Sequence, residues 1–333
     1  MRFRSLVLGA LFTALAASTA LGQAAGSGKN LTIVVGFGPG GGYDVWARLV
    51  GRHIGQFLPG SPNVIVQNMP GAGGYVAASW LYNIAPKDGS VIGLISRDVA
   101  VGPIIGAPGA RFDATKMNWL GTPATDTNVC IANNNAAVQS VDDLMTKQLI
   151  VGDVGPGSGT RTYPNALNEL LGTKFKLVSG FPSSADVFLA MERGEVDGIC
   201  ESLDSVTGKR PDWIKSGKVR ILFQGGSEPN PHVKAPFVVD LAKTDDQKAA
   251  IRFLYAGQGI GRPFVAPPSL PADKLSALRD AFAKTMADPA FIEDAAKSKL
   301  EIEPKDGPHL EGLVRQIYAS PQALVDKMKP FMQ

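Results

Sequence analysis

Three glycine-rich turns are the parts of this chain best suited to chemistry, because each leaves the backbone open at the start of a predicted helix. They lie at residues 36–44, 68–74 and 155–160, and each follows a short apolar run typical of a buried strand. Glycine allows positive φ and close approach of a ligand, while the first N–H groups of a helix attract anions. The three turns therefore predict an anion-binding site built from main-chain amides.

A nucleotide is the first ligand class to weigh. Gly36, Gly38 and Gly41 match G-x-G-x-x-G, the fingerprint of dinucleotide-binding folds. That fold also needs an acidic residue at the end of the next strand to hold the ribose, and here this strand ends in Gln67 and Asn68. No Gly-Lys-Ser/Thr closes the turn, which argues against a P-loop. A tight turn that binds nothing stays open as the alternative.

Ser96 and Arg97 are the side chains best suited to a carboxylate, and they lie at the end of a predicted strand, residues 91–96. A guanidinium group binds a carboxylate through two parallel hydrogen bonds. The alternative is a solvated loop in which Arg97 pairs with the neighbouring Asp98. The sequence leaves both interpretations open.

An exported hydrolase is the enzyme class to be weighed. Ser158 stands between Gly157 and Gly159, but the G-x-S-x-G elbow of serine hydrolases would need glycine in place of Pro156. A serine nucleophile also needs a base, and the three histidines of the chain stand in no recognisable catalytic context. We therefore predict that the protein is not an enzyme.

The first 25 residues have the pattern of a secretory signal, in which Arg2 and Arg4 precede an apolar run and then small residues. That apolar run is too short for a membrane span. The whole chain has 33 basic and 30 acidic residues, and removal of Arg2 and Arg4 leaves 31 against 30, a net charge of about +1. Without a basic stripe, neither nucleic acid nor a membrane surface is expected as a partner.

Cys130 and Cys200 are the only cysteines of the chain. A pair of cysteines in an oxidising compartment is commonly bridged, and two cysteines without nearby histidines are too few for a closed structural zinc site. We expect a disulfide between Cys130 and Cys200, with two free thiols as the alternative, and no metal site.

Strand-length apolar runs alternate with helical patterns from residue 31 to residue 223. The chain is 44% hydrophobic, so it can bury a large core, and its length suggests two domains. Residues 225–236 are rich in Gly and Pro and predict a crossing or linker. The pattern therefore predicts an α/β fold with doubly wound domains.

Taken together, these motifs resemble the periplasmic receptors of tripartite tricarboxylate transporters, the Bug family of solute-binding proteins. The resemblance rests on the signal sequence and on residues 36–44, 68–74, 155–160, 191–198 and 261–268. It implies two doubly wound domains joined by a hinge, as in type II periplasmic binding proteins. Domain 1 would comprise residues 27–121 plus 225–333, and domain 2 residues 122–224.

The same resemblance implies a receptor that closes on a small carboxylate and delivers it to membrane permease subunits. We expect a monomer in the periplasm of a Gram-negative bacterium, with no cofactor and with a ligand held by backbone amides and water. The residues that the resemblance assigns to the site are Phe37, Gly40, Gly41, Gly42, Asp44, Gly71, Ala72, Gly73, Gly74, Gly157, Ser158 and Gly159. Asp44 is expected to cap the helix or orient the loop rather than to touch an anion.

Two departures from the family pattern bear on the ligand. Gly36, Gly38 and Pro39 replace three residues of the usual P-F-P-A-G-G loop, so the water network is expected to differ. Tyr43 stands where a small or hydroxyl residue is common, and it joins the candidate site because it would narrow the pocket or stack on an aromatic ligand. A binding protein for a neutral or amide-type solute would carry the same turns and stays open as the alternative.

Overall fold

The computed structural model describes residues 30–155 and 158–332. The predicted signal sequence at residues 1–25 lies outside them. The described residues form two mixed β-sheets flanked by helices, which confirms the α/β fold predicted from the sequence. None of the helices in this part of the chain is both long and apolar enough to cross a membrane.

Most strands coincide with the apolar runs of the sequence, although the predicted strand at residues 91–96 ends at Leu94 and β11 is a polar pair. They are β1 (Leu31–Val35), β2 (Val64–Asn68), β3 (Val91–Leu94), β4 (Asn118–Thr122), β5 (Asn128–Asn133), β6 (Leu149–Asp153), β7 (Phe175–Ser179), β8 (Gly198–Ser202), β9 (Val219–Gly225), β10 (Phe264–Ala266) and β11 (Lys305–Asp306). The helices are α1 (Gly42–Ile54), α2 (Tyr75–Asn83), α3 (Val141–Thr146), α4 (Gly159–Leu171), α5 (Ser184–Arg193), α6 (Leu203–Lys209), α7 (Asp212–Lys215), α8 (Asp245–Leu254), α9 (Ala272–Ala287), α10 (Pro289–Lys297), α11 (Gly307–Tyr318) and α12 (Gln322–Met332).

The first sheet has the strand order β11-β4-β10-β3-β1-β2. β1 pairs in parallel with both β2 and β3, whereas β10 lies antiparallel between β3 and β4. Successive side chains of a strand point to opposite faces, so Ile33 packs with Leu49 of α1 while Val34 joins the core that contains Leu81 of α2. Helices therefore cover both faces of the first sheet.

The second sheet has the order β7-β6-β8-β5-β9. β6 is parallel to β7 and β8, and β5 is antiparallel to β8 and β9. Cys130 on β5 lies directly opposite Cys200 on β8, and the structure joins them in a disulfide. Helices α4 and α5 cover opposite faces, since Leu167 and Phe188 lie in different apolar cores.

The chain passes from the first sheet to the second between β4 and β5, and it returns after β9. The core that contains Val34 of β1 also contains Val151 of β6, so the two sheets share buried side chains. The proposed domain boundaries follow these crossings but stay a prediction.

Candidate ligand-binding site

The glycine-rich turns of the first sheet meet because their strands are parallel neighbours. Val35 at the end of β1 pairs with Asn68 of β2 on one side and with Leu94 of β3 on the other. The loops after these strands therefore leave the sheet at the same edge. In open α/β sheets this edge, beyond the carboxyl ends of the strands, is where ligands bind.

Gly74 is the point at which the three loops pack together. Its φ is +94°, and a Cβ built there would lie 3.1 Å from Cβ of Ser96 and 3.3 Å from the ring of Phe37. A Cβ on Gly36 would in turn lie 3.2 Å from Cα of Gly74. Glycine at position 74 is required both by the left-handed backbone and by the lack of space for a side chain.

Asp44 stabilises the first glycine turn through hydrogen bonds. Its carboxylate accepts hydrogen bonds from the Gly40 N–H at 2.9 Å, from Nδ2 of Asn68 at 2.8 Å and from the Arg48 guanidinium at 2.9 and 3.0 Å. The Arg48 hydrogen bond is the main cause that lowers the pKa of Asp44 to about 2, and the bonds from Gly40 and Asn68 act in the same direction. Asn68 also donates to the Phe37 carbonyl at 2.9 Å. Asp44 thus orients the loop, as its place at the helix start suggested.

Tyr43 is the centre of an aromatic and cationic stack. Its ring lies 4.3 Å from that of Phe37, and the guanidinium of Arg262 lies 4.7 Å from the ring centroid on a cation–π contact. The Tyr43 hydroxyl accepts a hydrogen bond from the backbone N–H of Arg97 at 3.2 Å. Tyr43 therefore ties the first glycine turn to the loop after β3.

Asp126, in the crossing between β4 and β5, interacts with the arginine side chains around this stack. Its buried carboxylate pairs with Arg97, lies 3.5 Å from Nη1 of Arg262 and accepts a hydrogen bond from the Ser202 hydroxyl at 2.6 Å. We call Asp126, Arg97, Arg262 and Ser202 the Asp126 cluster. It joins the loop after β3, the crossing between β4 and β5, the segment before β10 and the end of β8.

Arg97 was expected either to face a ligand or to pair with Asp98, and its guanidinium instead pairs with Asp126. Among the described residues, the carboxylate that forms an ion pair with Arg97 is thus that of Asp126 and not that of Asp98. A direct contact of Arg97 with a ligand stays a prediction. Sequence reasoning missed Asp126, which belongs to no motif, and missed Arg262, although residues 261–268 had been singled out.

The opposite wall of the site is the start of helix α4, which packs on the second sheet. The Ser158 hydroxyl donates to the Gly155 carbonyl at 2.6 Å and lies 2.9 Å from the Thr160 hydroxyl, which accepts from the Val154 N–H. These local bonds shape the turn and bring Gly159 to the helix start. Pro156 and Gly157 lie outside the described residues, so the assignment of Gly157 stays a prediction.

Tyr163 of α4 contacts the segment that follows α8. Its ring stacks on Tyr255 at 4.4 Å, and its hydroxyl accepts a hydrogen bond from the Gln258 side chain. Burial raises the pKa of Tyr163 and of Tyr255, so both hydroxyls stay protonated at neutral pH. These aromatic contacts join α4 to the segment after α8.

A cavity of about 260 Å³ lies between these two walls. The predicted residues Ala72, Gly73 and Gly159 line it, together with an apolar set that includes Val101, Ile105, Ala107, Leu254 and Met332. Tyr75, Thr162 and Tyr163 add hydroxyl groups, and among the described residues that line the cavity Asp98 alone carries a charge.

The other predicted residues lie beside this cavity rather than along it. Phe37, Tyr43, Gly74, Ser96 and Arg97 form the packed cluster at the strand ends. Gly40, Gly41 and Gly42 are exposed in the first turn, and Gly71 is exposed in the second. The structure thus brings the second and third glycine turns together around one space, with the first turn supporting them.

Comparison with known proteins gives a consistent result. A family model described as "Tripartite tricarboxylate transporter family receptor" matches residues 47–329. A UPF0065 protein of Bordetella bronchiseptica is 25% identical over 297 residues, which is 86% of this chain and 82% of that protein.

Two solved structures have a similar fold. The periplasmic binding protein BugD has a TM-score of 0.65 and 20% identity, with 90% of this chain and 97% of BugD covered. Rpa4515 of Rhodopseudomonas palustris, solved with adipate, has a TM-score of 0.66 and 18% identity, with 90% and 97% covered. At these identities the likeness shows the fold, and the fold is that of periplasmic binding proteins.

Proposed function

Because the chain belongs to the tripartite tricarboxylate transporter receptor family, we propose that it captures a small carboxylate in the cavity beside α4 and delivers it to the membrane subunits of such a transporter. Family members are solute-binding receptors and not enzymes. The observation that carries the proposal is the meeting of the second glycine turn with the start of α4 around one cavity.

The cavity supports a carboxylate for a physical reason. The first N–H groups of α4 have no partner within the helix, and the helix dipole adds partial positive charge at Gly159. Ala72 and Gly73 present backbone on the facing side without a long side chain in the way. Adipate in the Rpa4515 structure is a small carboxylate of the kind that these donors suit.

Closure of the two sheets on the ligand is the second part of the proposal, with domain 1 at residues 27–121 plus 225–333 and domain 2 at residues 122–224. The crossings are tightly packed: a Cβ on Gly261, whose φ is +63°, would collide with the Ala124 carbonyl, and one on Gly225 would collide with the Tyr255 ring. The stack of Tyr163 on Tyr255 is a contact between these two domains. A ligand that touches both walls would shift the population towards the closed state.

Export to the periplasm of a Gram-negative bacterium is part of the same proposal. It is supported by the signal pattern of the first 25 residues and by the disulfide between Cys130 and Cys200, since disulfides persist in oxidising compartments. The receptor would act as a monomer that meets the permease subunits in its loaded state.

A thermal-shift screen of the exported protein against mono-, di- and tricarboxylates, with neutral amides of the same length beside them, tests the proposal. A carboxylate at 100 times its dissociation constant should stabilise the native state by about 2.7 kcal/mol. No change in melting temperature with any carboxylate, or a change with neutral compounds alone, would overturn the proposal.

The position of the site can be tested in the same assay. Thr162→Trp places an indole in the cavity and should abolish the ligand-induced shift. Glu169→Trp introduces the same indole at an exposed position of α4 and should leave the shift intact. An unchanged shift in Thr162→Trp would show that the ligand binds elsewhere.

A further inference from the structure

Asp98 is the charged residue among those that line the cavity, and no cationic side chain of the described residues pairs with it. Its carboxylate accepts a long hydrogen bond from the Ser96 hydroxyl at 3.4 Å, and its N–H donates to the same hydroxyl at 3.2 Å. Across residues 30–155 and 158–332, no Lys, Arg or His side chain forms an ion pair with Asp98. The adjacent Arg97 is held by Asp126.

The hydroxyl groups around Asp98 do not compensate its charge. Tyr75 donates to the backbone carbonyl of Asp98 at 3.4 Å, and Tyr163 is bonded to Gln258. Burial and the charge of Asp98 raise the pKa of Tyr75, so this ring stays neutral and adds no negative charge. The carboxylate of Asp98 therefore retains acceptor capacity that a ligand could use.

Different parts of the cavity lining offer different groups to a ligand. Gly159 and Gly73 offer main-chain N–H groups, which suit an anionic end of a ligand. Val101, Ile105 and Leu254 offer apolar surface, which suits a hydrocarbon body. Asp98 offers an acceptor, which suits an N–H donor.

We infer that Asp98 determines the specificity of the cavity, and that it selects a monocarboxylate carrying an amino or amide group over a dicarboxylate. The inference rests on the proposed function. A second carboxylate beside Asp98 would bring like charges together in a partly desolvated space, which disfavours binding. An ammonium or amide N–H would instead donate a charge-assisted hydrogen bond to Asp98.

Matched ligands test this inference by titration calorimetry. The probes are succinate, glutarate and adipate, the monoamide and the ω-amino acid of each length, and the unsubstituted monocarboxylate of each length. In the unaltered protein the tightest amide or amino ligand should bind about tenfold or more tightly than the dicarboxylate of its length, as expected for a hydrogen bond to a charged group.

The variant Asp98→Asn keeps the side-chain shape and removes the charge. It should lower the affinity for the amino ligand by about tenfold and raise the affinity for the dicarboxylate by a similar factor. Asp240→Asn, the same substitution at an exposed position outside the cavity, should leave every ratio unchanged. If Asp98→Asn does not fold, the ratios in the unaltered protein still decide the matter.

The outcomes separate the two proposals. Dicarboxylates that bind as tightly as their amides and amino acids, or ratios unmoved by Asp98→Asn, would overturn the role of Asp98 and leave the receptor function intact. Absence of binding by every carboxylate, the unsubstituted ones included, would overturn the proposed function and the inference with it.

Discussion

Arg97 and Asp98 are adjacent in the chain and lie in opposite electrostatic settings. Arg97 belongs to the Asp126 cluster, in which two guanidinium groups share one buried carboxylate. Asp98 faces the cavity and has no cationic partner among the described residues. The guanidinium groups at the crossing thus have a carboxylate partner within the protein. We propose that the carboxylate at the cavity is left for a ligand.

The two settings have different costs. Removal of one partner of a buried ion pair lowers the free energy of unfolding by more than the intact pair contributes to it, because the remaining charge stays desolvated. A partly exposed carboxylate with a weak hydrogen bond loses little when it is neutralised. Stability should therefore depend on Asp126, and ligand choice on Asp98.

Replacement of Asp126 is expected to have the largest effect. Asp126→Asn removes the carboxylate that pairs with Arg97 and Arg262 and should lower the free energy of unfolding by about 3–5 kcal/mol. Asp98→Asn should lower it by about 1 kcal/mol or less. Urea unfolding followed by circular dichroism measures both.

The control for that comparison is Asp113→Asn, which removes a carboxylate whose partner Lys116 is largely exposed. Its effect should stay below about 1 kcal/mol. Equal losses for Asp126→Asn and Asp113→Asn would mean that the Asp126 cluster does not stabilise the crossing.

A change at Gly74 should have an intermediate effect, on stability and on binding together. Gly74→Ala combines a left-handed backbone with contacts of 3.1 and 3.3 Å to Ser96 and Phe37, and should cost about 1–3 kcal/mol. Gly38→Ala meets no atom within 4 Å and should change the unfolding free energy by about 0.5 kcal/mol or less. Similar melting temperatures for the two variants would contradict the packing described at the strand ends.

Asp44 provides a small predicted effect on stability and a pH test. Its pKa is lowered from 3.8 to about 2 in the folded protein, so its contribution is present above about pH 4 and is lost as the pH falls towards 2. The contribution should be about 1 kcal/mol because Arg48 is half exposed and solvent screens the pair. Over this range the unfolding free energy of the unaltered protein should fall more steeply than that of Asp44→Asn, and parallel curves would show that Asp44 is not stabilised by its partners.

Local signals in the sequence were sufficient for the elements. The strand β1 begins at residue 31, where the first apolar run predicted a strand, and β2 ends at Asn68, as the sequence indicated. Two of the three predicted glycine turns line the cavity and the first lies beside it. Open backbone at a helix start is encoded within a few residues, so the turns themselves could be predicted.

Pairing between distant segments could not be read in the same way. β10 inserts antiparallel between β3 and β4, although more than 140 residues separate it from β4. Asp126 gathers partners from residues 97, 202 and 262 and belongs to no motif. Local periodicity records which face of an element is buried and carries no information on which distant charge will meet it.

The most direct test of the receptor account is a crystal structure of the protein with the carboxylate that binds most tightly in the screen. We predict that the ligand lies in the cavity beside α4, with a carboxylate oxygen accepting hydrogen bonds from N–H groups of residues 72–73 and of Gly159, and with its other end near Asp98. A ligand bound outside this cavity, or bound there with its carboxylate away from both glycine turns, would contradict the account.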